Sequence, residues 1–248
     1  RQRRNTPQPK EQHALSITNV SKSYGTAPAL DPISFDIATG ERVALIGHNG
    51  SGKTTLINCI SGALQNDLGT IHFKGESIGR LPAHARTRRG IARSFQIPRP
   101  FHSMTVLENL MVPLAYVGGV SGEKAKVQAR QLLEDIGLAD KAEAASSSLS
   151  QVELRKMELA RAMAARPQLL ISDEAMAGLS GSEVDDVLDI LIKLNKQGIT
   201  IIMIEHIMHA VMRFSERLVC LDAGQIICDG DPQSVVGNPQ VQRAYLGD

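Results

Sequence analysis

Gly47-His48-Asn49-Gly50-Ser51-Gly52-Lys53-Thr54 fits the pattern G-x-x-x-x-G-K-[ST], and its reading decides the fold. The stretch follows an apolar run, Arg42–Ile46, and opens a helix running to about Ser61. Glycines at this spacing let successive backbone N–H groups turn inward around phosphate oxygens, and the helix start adds partial positive charge. Lys53 would reach the β and γ phosphates of a nucleotide, and the Thr54 hydroxyl would ligand Mg²⁺.

Outward from this loop, apolar runs at residues 15–20, 33–37, 43–46, 169–171, 199–204 and 218–221 alternate with helical patterns. Near-continuous apolar strands between helices mean a sheet buried on both faces, an α/β layer architecture. Residues 182–197 give the clearest helix: Val184, Val187, Leu188, Leu191 and Leu194 share one face, and Gly198 follows its end. Between about residues 97 and 157 the pattern turns helix-rich without apolar strands, which marks a candidate inserted subdomain. The polar decapeptide carrying Arg1, Arg3, Arg4, Pro7 and Pro9 reads as a loose, solvated basic arm.

At 248 residues the chain can bury a core without disulfides or a structural metal. Cys59, Cys220 and Cys228 are odd in number and form no CxxC, which argues against a secreted disulfide framework or a zinc site and for a reducing compartment. Lys plus Arg is 27 and Asp plus Glu is 26, a net charge of +1, so no global field draws the chain to nucleic acid. No apolar run reaches the roughly 18 residues of a membrane span. Residues 1–10 lack the apolar centre of a secretion signal, and the sequence starts at Arg1 without an initiator methionine.

Leu169-Leu170-Ile171-Ser172-Asp173-Glu174 is an apolar strand ending in two acids. At the carboxyl edge of a parallel sheet Asp173 would share a crevice with the phosphate loop and hold the metal through water. Glu174 is then placed to orient or deprotonate an attacking water. Ile204-Glu205-His206 repeats the arrangement after the next buried strand, putting an imidazole where a γ phosphate is sensed, with Glu205 read as a solvated neighbour.

The order of these motifs resembles the ATP-binding subunits of ABC transporters from about Leu15 onward. That resemblance implies a P-loop NTPase (RecA-like) core with a mostly parallel sheet, an N-terminal antiparallel β part and an inserted helical subdomain. It divides the chain into an arm at 1–12, an ATP-binding core at 13–96 and 158–248, and a helical signature subdomain at 97–157. It implies ATP and Mg²⁺ as ligands: Gly47, Asn49, Gly50, Ser51, Gly52, Lys53, Thr54 and Thr55 on the phosphates, Tyr24 stacked on the adenine, and Thr54, Gln96 and Asp173 at the metal. Glu174, His206 and Gln96 are the implied catalytic set, Gln96 lying in the loop that joins core to helical subdomain. In this family two ATPase chains dimerise head to tail, so Ser150 of one would close on the other's phosphate loop.

Pro98-Arg99-Pro100-Phe101, Met104-Thr105-Val106-Leu107-Glu108-Asn109 and the ending Arg243-Ala244-Tyr245-Leu246-Gly247 are similar to importers for branched-chain amino acids and related small solutes. The implied partners are a second ATP-binding subunit, permease subunits and, indirectly, a solute-binding protein, with the chain cytoplasmic and peripheral on the inner membrane. The arginines between Arg80 and Arg99 have little aromatic interleaving and read as a solvated face or part of the permease contact, with no nucleic acid involved.

The chain departs from the family where Leu-Ser-Gly-Gly-Gln is usual: it reads Leu149-Ser150-Gln151-Val152-Glu153, ahead of a helix expected over 154–165. Val152 removes backbone freedom, and Glu153 would bring negative charge towards a γ phosphate, so weaker hydrolysis at that site is expected. Ala175 replaces the proline after the catalytic acid, and Ser180 stands where Asp or Asn is usual, though it can still cap the next helix. The alternative is a nucleotide-binding regulatory subunit that scarcely cleaves ATP. A soluble ATPase of DNA repair or translation fits less well, lacking its second cassette or long coiled-coil insertion. A GTPase fits least, since Asn195-Lys196-Gln197-Gly198 lacks the guanine-reading acid.

Overall fold

The computed structural model describes residues 13–94 and 99–246. The expected arm at 1–12 and Gln96 lie outside these residues. In chain order the elements are β1 (His13–Tyr24), β2 (Ala27–Ala38), β3 (Arg42–Ile46), α1 (Lys53–Ser61), β4 (Leu68–Phe73), β5 (Glu76–Ser77), α2 (Ala83–Arg89), β6 (Ile91–Ser94), α3 (Val106–Tyr116), α4 (Gly122–Ile136) and α5 (Gln151–Ala164). They continue with β7 (Leu169–Asp173), α6 (Gly181–Lys196), β8 (Thr200–Ile204), α7 (Met208–Phe214), β9 (Arg217–Asp222), β10 (Gln225–Gly230), α8 (Pro232–Val236) and α9 (Pro239–Leu246).

Two sheets form. The larger has the order β10-β9-β3-β8-β7-β6, parallel throughout except for β10 on its edge. The smaller, β2-β1-β4-β5, is antiparallel. This is the α/β arrangement expected from the apolar runs, with an antiparallel β part at the amino end.

Alternation along the central strands divides the core. Val43, Leu45, Ile171, Ile202 and Val219 face one cluster with α1 and the antiparallel sheet. Ala44, Ile46, Leu170, Ile201 and Met203 face the other, with residues from α3, α5, α6 and α7. Helix starts follow their caps: Thr105, Ser150 and Ser180 each close a reciprocal box with a glutamate three residues on. The box at Ser150 starts α5 at Gln151, three residues before the start that the family resemblance implied.

Cys220 and Cys228 are direct partners across β9 and β10, and both are free thiols. One expectation about side chains changes. Arg86 is not on a solvated face. It is fully buried, and its guanidinium donates to the carbonyls of Cys59 at 2.5 Å, Ile60 at 3.0 Å, Leu81 at 2.9 Å and Gly79 at 3.1 Å. It thereby satisfies the carboxyl end of α1, the helix that the phosphate loop opens. Arg86→Ala should cost at least about 3 kcal/mol, because several buried carbonyls lose a charged donor. Urea denaturation checks this, and a loss below about 0.5 kcal/mol would contradict the role.

Candidate functional site

Parallel pairing brings the carboxyl ends of β3, β7, β8 and β9 to one edge of the sheet: Leu45 and Asp173 both pair with Ile204, and Ile46 pairs with Cys220. Gly47 to Gly52 turn from β3 into α1 there. Gly50 and Gly52 hold φ of 86° and 104°, and α1 begins without a side-chain cap, so its first amides face the loop. A cavity of about 350 Å³ is lined by Ala29, His48, Asn49, Gly50, Gly52, Lys53, Thr54, Thr55 and Glu174. Residues from the two separate motifs therefore share one space.

Lys53 is buried and its Nζ donates to the Gly47 carbonyl. Burial pulls its pKa below the usual lysine value, opposed by Glu174, Cys220, Glu205 and Asp173. The Ser51 hydroxyl is buried without a partner. An orphan hydroxyl, a lysine and uncapped helix amides in one loop fit a phosphate group. The exposed Thr54 hydroxyl and the Asp173 carboxylate are hard oxygen donors suited to Mg²⁺. Among the described residues no three His, Cys, Asp or Glu side chains gather to hold a metal alone; Mg²⁺ carried by phosphates needs only one or two protein oxygens.

Glu174 sits at φ 47°, a left-handed conformation unusual for a non-glycine, with its N–H donated to the Ile204 carbonyl at 2.9 Å. Backbone held this way at a strand end aims the side chain into the cavity mouth at a cost in strain. Asp173 is gripped by Arg93, whose Nε and Nη2 lie 3.1 and 2.5 Å from Oδ2, while Nη1 reaches Asn58 of α1 at 2.7 Å. Arg93, grouped by sequence with a solvated arginine face, instead joins β6, the metal-ligand candidate and the phosphate-loop helix.

Glu205 also reverses its expectation. It is 1% exposed, its Oε2 has no partner, and Oε1 accepts from the His206 N–H at 3.2 Å. Burial raises its pKa, Glu174 pushes the same way, and the His206 and Ile207 amides oppose the rise. His206 is exposed, with its Nδ1 3.6 Å from Glu205 Oε1. Tyr24 ends β1 at 52% exposure, apart from the residues lining the cavity.

Sequence reading also missed His48. Its Nδ1 and Nε2 lie 2.8 Å from the Asn49 carbonyl and from Asp222, and these acceptors hold its pKa above the ordinary value.

At the start of α5 Ser150 Oγ accepts from the Glu153 N–H at 3.3 Å, and Glu153 Oε1 accepts from the Ser150 N–H at 2.9 Å. The Glu153 carboxylate turns back onto its own helix start, with Lys141 3.7 Å away. The Ser150 amide holds its pKa low, opposed by burial and aided by the Ser150 hydroxyl, Lys141 and Lys156. Arg155 donates to the Ala177 carbonyl at 3.2 Å, tying this helix to the segment after Glu174.

Comparison with known proteins agrees with this geometry. Residues 30–177 match the family described as ABC transporter, and residues 225–248 match the one described as branched-chain amino acid ATP-binding cassette transporter. The high-affinity branched-chain amino acid transport ATP-binding protein BraF of Pseudomonas aeruginosa is 34% identical over 94% of this chain and 98% of its own length. The methionine import ATP-binding protein MetN of Rhizobium etli is 37% identical over 97% of this chain and 68% of its own. The solved ADP conformation of MJ1267, an ATP-binding cassette of an ABC transporter, superposes with a TM-score of 0.88 at 31% identity, covering 95% of this chain and 99% of that one.

The buried Glu205 makes a pH-dependent prediction. With its folded pKa raised, its stabilising contribution is present in acid and lost as pH rises through that value, where an ionised carboxylate is left buried. Glu205→Gln should therefore raise the melting temperature at pH 8 by about 2–4 °C, what roughly 1 kcal/mol is worth in such a chain, and change it little at pH 5. Equal destabilisation at both pH values would contradict the assignment.

Proposed function

The chain belongs to the ABC transporter family as an ATP-binding ATPase subunit, and from that premise we propose that it drives an importer for branched-chain amino acids or related small solutes. The observation carrying this reading is that Lys53, Thr54 and Glu174, drawn from two distant motifs, line one cavity. The match of residues 225–248 and the likeness to BraF support the solute class.

In this reading the amides of the loop from Gly47 to Thr55 and the Lys53 ammonium bind the phosphates, and Tyr24 stacks on the adenine. Thr54, Asp173 and Gln96 hold Mg²⁺, which when bound neutralises charge on the phosphate oxygens. Glu174 orients the attacking water and accepts its proton, while His206 and Gln96 report the γ phosphate. Arg93 holds the Asp173 carboxylate in place through Nε and Nη2. Ser150 completes the phosphate site of a second ATP-binding subunit, as the partner's serine completes this one.

Residues 13–96 with 158–248 act as the ATP-binding core and 97–157 as the helical subdomain. Among the described residues no helix is long and apolar enough to cross a membrane, so permease subunits would hold the chain at the cytoplasmic face. A cleft of about 390 Å³ bordered by Ile91, Arg93, Arg99, Val117 and Arg161 offers such a partner an apolar, basic-edged seat.

Calorimetry should show ATP uptake by wild-type protein and none by Lys53→Ala. Glu174→Gln should retain binding while steady-state hydrolysis by the assembled complex falls at least about 100-fold. Hydrolysis unchanged by Glu174→Gln would remove the assigned base.

The regulatory reading draws on the capping box at the altered signature. Glutamine closes the same box without charge, so Glu153→Gln isolates the electrostatic effect. If the carboxylate faces a partner's γ phosphate at about 5 Å, the repulsion is about 3 kcal/mol at an effective dielectric near 20. The ATPase rate of the assembled complex should then rise, by up to about 100-fold. An unchanged rate would show that this charge does not limit turnover.

A further inference from the structure

The carboxyl-terminal motif singled out above has no role in the nucleotide site as described so far, yet it reaches that site. α9 is seated on β10: Asn238 Oδ1 accepts from the Gln240 N–H at 2.8 Å, Asn238 Nδ2 lies 3.5 Å from Cys228 Sγ, and Val241 is buried. In its last turn Tyr245 packs against the cluster that contains Ile46 and Cys220. Its hydroxyl accepts the Gly47 N–H at 2.8 Å.

Gly47 is the first residue beyond β3, so its N–H has left the sheet ladder. It is buried, with the Leu221 carbonyl only 2.7 Å from where a Cβ would stand, and Ser51 crowds the same position. A buried amide at this junction requires an acceptor, and Tyr245 supplies it. The Gly47 carbonyl takes Lys53 Nζ, so both polar groups of this residue are tied, one to the carboxyl terminus and one to the phosphate-binding lysine.

We propose that Tyr245 is a positioning residue for the phosphate loop: its hydroxyl fixes the Gly47 peptide and through it the amide cradle and Lys53. This rests on the reading of that loop as the ATP site. It gives the segment that distinguishes this subgroup a direct mechanical hold on nucleotide binding from the opposite end of the chain. Burial pushes the Tyr245 phenol above its ordinary value, and the Gly47 amide opposes that rise only in part.

Tyr245→Phe keeps the ring and removes the hydroxyl. Amide exchange on ¹⁵N-glycine-labelled full-length protein should find Gly47 protected relative to Gly50 in the wild type, with protection lost in Tyr245→Phe. Calorimetry should find ATP bound about tenfold more weakly by the variant, the effect of one buried donor left without its acceptor. A role confined to packing α9 would lower the melting temperature and leave the ATP dissociation constant unchanged, and that result overturns the proposal. So does a wild-type Gly47 amide exchanging as fast as Gly50, a measurement that does not depend on the variant folding. Wild-type protein taking up no ATP would instead fail the reading of the loop, while the exchange comparison would still decide whether the pin exists.

Discussion

β3 is hydrogen-bonded on both sides by parallel strands, to β8 and to β9, and this pairing ends at Ile46. Parallel neighbours all finish at the same edge, so fixing where β3 stops also fixes where its neighbours release their next residues. Gly47 emerges between Glu205 after β8 and Asp222 at the end of β9, and Glu174 follows β7 one strand further out. A slip of one residue in β3 would exchange its two buried faces and carry the phosphate loop out of reach of the acids. The chemistry of the edge is thus a consequence of the register of the core.

Charge at that edge is dense and mutually dependent. Burial holds the Lys53 pKa below the usual lysine value, and Glu174, Cys220, Glu205 and Asp173 oppose that fall only in part. Of those acids Asp173 has a direct cation partner, Arg93. A triphosphate entering such a site meets a lysine whose field is no longer screened by water. The left-handed backbone at Glu174 belongs to the same economy of space, since an extended residue there would continue β7 past the cavity.

Much of this was legible in the chain itself. The phosphate loop carries its glycines at fixed spacing, and strands buried on both faces announce themselves as unbroken apolar runs. What local pattern cannot show is how a side chain ends its path. Glu205 follows a buried strand just as Glu174 does, but one is sealed beneath the edge and the other opens onto the cavity. Arg86 and Arg93 sit in a basic stretch that looks solvated, and only the packing of α1 against α2 and β6 turns them inward. The contact between Tyr245 and Gly47 joins residues 198 apart in sequence, beyond the reach of any periodicity.

The start of α5 at Ser150 shows how one side chain can serve its own helix and still keep a donor in reserve. In the capping box the Ser150 oxygen accepts a hydrogen bond, which leaves its own proton to donate. The Glu153 carboxylate accepts from the Ser150 N–H, so the start of α5 is closed by its own side chains. In the proposed function, a phosphate from a second subunit would meet the Ser150 hydroxyl proton there, together with the charge of that carboxylate.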